Sequence, residues 1–226
     1  MQNTHKLTNI REIFSSIQGE GLYVGEKQIF VRFCTCNLTC AYCDTDFKIQ
    51  NSTKYSSFSL YETLKNLNAK TISLTGGEPL CEVDFLEEFL KEYKQKLNKK
   101  IYLETNGTLY NELQKIIDFV DVVSMDIKLQ SATGQINRFF DNEKFIQVAL
   151  KNNKEIFIKV VFDENIKNDE ISEISKIAKK YSLTIVLQPK MPMNDALDLE
   201  TTFENFYKEY QNIRLIPQTH KFLNLL

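Results

Sequence analysis

Residues 28–43 read QIFVRFCTCNLTCAYC: an apolar-rich run, Gln28–Phe33, passes directly into a loop that carries Cys36, Cys40 and Cys43. The run lacks Gly and Pro and is rich in aromatic and β-branched residues, which makes it a strand. The same design of short strand, polar cluster and amphipathic stretch recurs along the chain. Strand-like runs follow at Thr71–Leu74, Lys100–Glu104, Val120–Met125, Glu155–Val161 and Thr184–Leu187. Helical patterns lie between them at Leu60–Leu67, Phe85–Leu97, Tyr110–Ile117, Glu143–Leu150 and Asn168–Lys180. In the second of these, Phe85, Leu86, Phe89, Leu90, Tyr93 and Leu97 follow one helix face. Six strands interleaved with five helices are the signature of parallel βα units with right-handed crossovers. Six units are two short of a closed eightfold barrel. The expectation is therefore an α/β fold, an open, partial parallel βα barrel of about six core strands, formed by one domain over residues 1–226. Asn51–Ser59, polar and Ser-rich, reads as a loop, and the residues from Asp195 onward as a further helix and a short strand at Ile213–Ile216.

Composition narrows the function. A chain of 226 residues buries roughly 70% of its unfolded surface and needs no disulfide or metal to hold it together. No apolar run approaches the ~18 residues of a membrane span, and the polar stretch Met1–Ile10 does not read as a signal peptide. Lys+Arg 28 against Asp+Glu 30 leaves a net charge of −2 without a basic block, which argues against a counterion-release grip on nucleic acid. The lysines of Lys91–Lys100 read as the solvated face of the preceding helix. Five cysteines, an odd number with no signal peptide, point to reduced thiols in the cytoplasm.

The polar clusters fall after successive strands: the cysteine loop after the first, Thr75-Gly76-Gly77-Glu78-Pro79 after the second, Glu104-Thr105-Asn106-Gly107-Thr108 after the third. Asp126-Ile127-Lys128 follows the fourth and Gln188-Pro189 the sixth. Carboxyl ends of parallel strands carry ligands and chemistry. The spacing CxxxCxxC puts three thiolates on one short loop, suited to a 4Fe–4S cluster whose fourth iron stays open for a small molecule. Zinc is the competing occupant. It wants four protein ligands, histidine is scarce, with only His5 and His220, and the strand's alternation points Cys34 into the core, while Cys81 stands apart.

CxxxCxxC, TGGEP and ETNGT in this order resemble the radical S-adenosylmethionine superfamily. The resemblance implies a cluster on Cys36, Cys40 and Cys43 whose open iron chelates S-adenosylmethionine, and one-electron cleavage of that cofactor to a 5′-deoxyadenosyl radical. Glu12-Ile13-Phe14-Ser15-Ser16-Ile17-Gln18-Gly19-Glu20-Gly21, Phe30-Val31-Arg32-Phe33, Cys43-Asp44-Thr45 and the stretch from Arg214-Leu215 to Gln218-Thr219-His220-Lys221 are similar, more narrowly, to the 7-carboxy-7-deazaguanine synthase family. Its members contract 6-carboxy-5,6,7,8-tetrahydropterin to 7-carboxy-7-deazaguanine with loss of ammonia, on the route to queuosine, and use magnesium.

By that resemblance Ile17, Gln18, Gly19, Glu20, Arg32, Thr75, His220 and the carboxylate of Leu226 bind substrate, with residues 211–226 closing the site. Tyr42, Cys43, Asp44, Gly77, Asp126, Ile127, Lys128, Gln188, Pro189, Lys190 and Met191 bind the cofactor, and Thr45 holds Mg2+. A flavodoxin-like electron donor and a homodimer are implied too. Two departures bear on the cofactor side: many members have Ser-Pro-Lys at Asp126-Ile127-Lys128, and Gln-Pro-Met-Asp where this chain has Gln188-Pro189-Lys190-Met191. Asp126-Ile127-Lys128 is closer to the pattern of glycyl-radical-enzyme activases, the alternative reading. An iron–sulfur electron carrier, a third class, would prefer a fully ligated cluster and has no need of GGEP.

Overall fold

The computed structural model describes residues 6–43 and 49–225. Its strands are β1 (Leu7–Ile17), β2 (Lys27–Phe33), β3 (Thr53–Ser56), β4 (Thr71–Gly76), β5 (Lys100–Thr105), β6 (Val122–Asp126), β7 (Glu155–Phe162), β8 (Ile185–Pro189) and β9 (Ile213–Leu215). All belong to one sheet in the order β3-β1-β2-β4-β5-β6-β7-β8-β9. From β2 to β9 every neighbour is parallel, and the strands follow one another in chain order. A doubly wound sheet reverses its order partway. This one winds in a single sense as a barrel does, and it stays open because its edge strands, β3 and β9, do not pair with each other.

The expected strands are all present, as β2 and β4 to β9, but β1 and β3 are additions. Ile10, Ile13, Phe14 and Ile17 are spaced three, one and three apart, which imitates a helix face. A register shift between Ile10 and Glu12 breaks the two-residue alternation that would have exposed β1 as a strand. The Ser-rich stretch is not a loop. It forms β3, paired antiparallel to β1, and then caps helix α1 (Ser57–Leu64). Ser56 Oγ accepts from the Ser59 N–H and Ser59 Oγ accepts from the Ser56 N–H, so the serines satisfy the first turn of a helix.

The other helices are α2 (Val83–Leu97), α3 (Tyr110–Ile116), α4 (Gln130–Thr133), α5 (Phe139–Lys151), α6 (Asn168–Tyr181), α7 (Leu199–Glu209) and α8 (Thr219–Leu223). Along α2 the lysines form a paired, solvated face: Lys91 binds Glu87 and Lys94 binds Asp121.

Strand alternation sorts the interior into two compartments. One set of side chains, among them Val31, Leu74, Leu103, Val123, Ile158 and Leu187, joins the large core beneath the helices. The alternate set faces inward. At one level it is aromatic and aliphatic, Tyr102, Val122, Phe157 and Val186 packing as a separate small cluster. Nearer the carboxyl ends the same face carries Arg32, Thr75, Glu104, Asp126, Lys159 and Gln188, and there a cavity opens.

Candidate active site

The cavity has a volume of about 460 Å³. Cys36, Cys40 and Cys43 all border it, on the loop that leaves β2. That loop is bound on two sides. Asn37 donates to Thr108 Oγ1 at 2.9 Å and accepts from Asn106 Nδ2 at 2.8 Å, while the Ala41 N–H donates to the Thr133 carbonyl at 3.0 Å. Glu78 of the TGGEP segment is wholly buried and accepts from the Leu80 N–H at 3.2 Å, the Asn106 N–H at 2.7 Å and Thr105 Oγ1 at 2.9 Å. Burial outweighs these donors and raises its carboxyl to about 7. Glu78 thus fastens the loop after β4 to the one after β5. Gly76 sits at φ +103°, where a Cβ would stand 2.5 Å from the Phe33 nitrogen, so only glycine lets these chain segments lie together.

The donor set fits an iron–sulfur cluster. Cluster thiolates each take a separate iron, and Cys36, Cys40 and Cys43 border the same cavity from one loop. Burial pushes the Cys36 thiol up to about 11, against the Leu38 N–H donated to its sulfur, and nearby Glu78, Cys40 and Cys43 add to the rise. Burial raises Cys40 as well. Neighbouring thiols raised in this way ionise together only around a cationic centre. Cys34 is buried beyond the end of β2 and Cys81 lies in a 3₁₀ turn; neither borders the cavity.

Beside the cysteines, Asp126 Oδ2 binds Lys128 Nζ at 2.9 Å and Lys159 Nζ at 3.2 Å. Lys128 Nζ also donates to the Tyr42 hydroxyl at 3.3 Å, and both Lys128 and Lys190 stand over the Tyr42 ring, at 5.2 and 5.8 Å. Burial would lower the Lys128 ammonium, but Asp126 holds it above its ordinary value. Asp126 Oδ1 and both ends of the Gln188 amide are buried without a well-formed hydrogen bond. Unmet donors and acceptors of this kind suit a zwitterionic ligand. Tyr42, Gly77, Asp126, Lys128, Gln188, Lys190 and Met191 border the cavity; Ile127 packs in the core, and Pro189 ends β8 away from the lining.

The opposite wall holds Ile17, Gln18, Gly19, Glu20, Arg32, Thr75 and His220. Gln18, expected among the substrate-binding residues, borders the cavity but has its amide engaged by the protein. Its NH₂ donates to Glu104 at 2.8 Å and to Gln28 at 3.2 Å, and its oxygen accepts from the Glu20 N–H at 3.1 Å, so its donors are spent on the protein. Glu104 also accepts from Thr75 Oγ1 at 2.8 Å. Arg32 pairs with Glu12 at 2.7 Å and lies over Phe14. Glu20 accepts from Lys159 and, at 2.8 Å, from Gln218 Nε2. The carboxyl-terminal segment is seated here: the Thr219 N–H donates to the Gly19 carbonyl at 2.9 Å, and a Cβ at Gly19 would stand 2.6 Å from His220 Cβ. Asp44, Thr45 and Leu226 lie outside the described residues.

Glu104, Lys159 and Gln218 belong to the site but were not singled out as binding residues from sequence. A signal existed for Lys159, a lone charge inside the apolar run Ile156–Phe162. Glu104 ends a strand within the quoted ETNGT segment, and nothing in the local sequence marks Gln218 more than its neighbours.

Comparison with known proteins agrees with this geometry. The Radical SAM superfamily profile matches residues 30–166. The 7-carboxy-7-deazaguanine synthase of Geobacter sulfurreducens is 32% identical, over 96% of this chain and 97% of its own. That of Methanothermobacter thermautotrophicus is 34% identical over the same shares. Among solved structures, QueE from Escherichia coli superposes with a TM-score of 0.60, at 23% identity and over 95% of both chains. The AdoMet-bound anSMEcpe superposes with a TM-score of 0.53, at 18% identity, over 77% of this chain and 56% of that one. Full-length relatives of one name do not favour a glycyl-radical-enzyme activase. With its three cysteines, its open parallel sheet and these relatives, the chain belongs to the radical SAM superfamily and, within it, to the 7-carboxy-7-deazaguanine synthase family.

Proposed function

We propose that the chain contracts the ring of 6-carboxy-5,6,7,8-tetrahydropterin to 7-carboxy-7-deazaguanine, releasing ammonia, in deazapurine biosynthesis. The observation that carries this is one cavity with the cysteine loop on one wall and the Gln18–Glu104–Thr75 and Glu20–Lys159 networks on the other. Cys36, Cys40 and Cys43 would hold a 4Fe–4S cluster, and Tyr42, Asp126, Lys128, Gln188 and Lys190 would hold S-adenosylmethionine. When bound, these two supply the one-electron chemistry that removes a substrate hydrogen atom.

The protein binds and orients. Arg32 offers a guanidinium to the substrate carboxylate. Glu20, charged, accepts from the N–H groups of the aminopyrimidinone, and Glu104 fixes Gln18 and Thr75 along the ring's edge. His220 and Gln218 bring the carboxyl-terminal segment over the Gly19–Glu20 loop, which keeps water from the reacting ring. Thr45 would hold Mg2+, a hard ion suited to oxygen ligands such as the substrate carboxylate. A flavodoxin-like protein delivers the electron, and the enzyme works as a homodimer.

The test is turnover. Reconstituted, reduced protein with S-adenosylmethionine and the carboxytetrahydropterin should develop the deazapurine chromophore and release ammonia. Cofactor cleavage with the pterin recovered unchanged would refute the assignment.

A further inference from the structure

Lys159 occupies an inward-facing position of β7 in an otherwise apolar run, and its side chain is only 9% exposed. Burying an unpaired ammonium costs several kcal/mol, so its partners explain its presence. They come from two sides of the cavity: Glu20 from the loop after β1, and Asp126 at the end of β6, 3.2 Å away. Asp126 has a second cation, Lys128, at 2.9 Å on the same oxygen. No other cation is hydrogen-bonded to Glu20 among the described residues; its other partners, the Gln218 amide and, less well aligned, the Gln188 amide, are neutral.

We propose that Lys159 is a positioning residue for substrate: it keeps the Glu20 carboxylate charged and turned into the cavity, so that Glu20 accepts from N–H donors on the heterocycle. This rests on the substrate assignment above. Lys159 and Gln218 engage different oxygens of Glu20, and a carboxylate has about four lone-pair sites, so acceptor capacity remains for a ligand. A protonated Glu20 would instead present a donor to a donor-bearing edge.

The electrostatic surroundings agree. Burial alone would raise the Glu20 carboxyl, but the Lys159 charge, with Gln218 and Gln188, holds it well below the usual carboxylate range. Lys159 is in turn held well above its ordinary value by Glu20, Asp126 and Glu104, against the effect of burial. The other groups facing this spot are Tyr102 from β5, kept neutral chiefly by burial, Lys128 after β6, and His220 from the carboxyl-terminal helix. Take away the Lys159 charge and burial dominates at Glu20.

The experiment uses cluster-loaded protein with S-adenosylmethionine and no reductant, and measures pterin binding by calorimetry at pH 6, 7 and 8.5. The variants are Lys159→Met, Lys159→Arg and the double Glu20→Gln/Lys159→Met. Relative to the unaltered protein, Lys159→Met should weaken pterin binding about tenfold at pH 8.5, and about tenfold more for each pH unit below the raised Glu20 pKa. Lys159→Arg, which keeps the charge, should show a ratio independent of pH. The double variant should bind weakly but also without the extra slope, because no carboxyl is left to titrate. S-adenosylmethionine affinity measured without pterin should stay within about threefold in all three, since Lys128 still pairs with Asp126.

A pH-independent ratio for Lys159→Met overturns the proposal. So does a slope retained in the double variant, which also decides the matter should Lys159→Met alone fail to load iron. Failure of the unaltered protein to bind pterin, with normal iron and cofactor binding, would instead refute the substrate assignment and the proposal with it.

Discussion

Replacing Gly76 by alanine isolates the close approach that joins the cysteine loop to the TGGEP segment. At φ +103° a side chain is strained whatever the space around it, at about 1–2 kcal/mol. The new Cβ would also stand 2.5 Å from the Phe33 nitrogen and 2.6 Å from its oxygen. These are backbone atoms, so no rotamer change relieves the overlap; the ends of β2 and β4 must part. Two bonds cross that junction, Gly77 N–H to the Phe33 carbonyl at 3.0 Å and Glu78 N–H to the Thr35 carbonyl at 2.7 Å. At about 1 kcal/mol net each, their loss brings the total to about 3–4 kcal/mol. Gly25 is the internal control. It has φ +91° but nothing within 4 Å of its would-be Cβ, so Gly25→Ala should carry only the backbone cost of about 1–2 kcal/mol. Anaerobic urea unfolding of the two variants beside the unaltered protein gives both numbers. A Gly76→Ala protein as stable as Gly25→Ala would mean that the junction yields freely, and the steric account of the GG pair would be wrong.

Three further outcomes are expected. Alanine at Cys36, Cys40 or Cys43 should each abolish bound iron, while Cys34→Ala and Cys81→Ala retain it; iron loss on Cys34→Ala with normal folding would sink the three-ligand assignment. Thr45→Ala should weaken the dependence of turnover on magnesium while leaving cofactor cleavage intact, as read from a magnesium titration; an unchanged titration would leave Thr45 without a metal role. Ser56→Ala removes the side chain that caps α1 and should cost about 1 kcal/mol in urea unfolding, with no change in iron content.

What could be read from the linear chain was whatever the chain encodes over a few neighbouring residues. Cys36, Cys40 and Cys43 lie close together in any fold because eight residues contain them. The parallel strands β4 to β8 announced themselves because each is a short apolar run bounded by polar residues and set off by an amphipathic helix. The strand β1 escaped because a shift in register after Ile10 gave it the spacing of a helix, and β3 because the serines that cap α1 have the composition of a loop.

The site divides along the same line. Glu20 stands out as an acid in a glycine-flanked loop, but what charges it is Lys159, 139 residues away in sequence. Gln18 has a ligand's chemistry in isolation, and loses its donors to Glu104, 86 residues further on. A side chain's type follows from its codon, whereas its partners follow from which strand face it occupies and which strands lie beside it. That is settled only when the sheet assembles, because a charge or an amide changes its chemical role according to what it meets within about 3 Å.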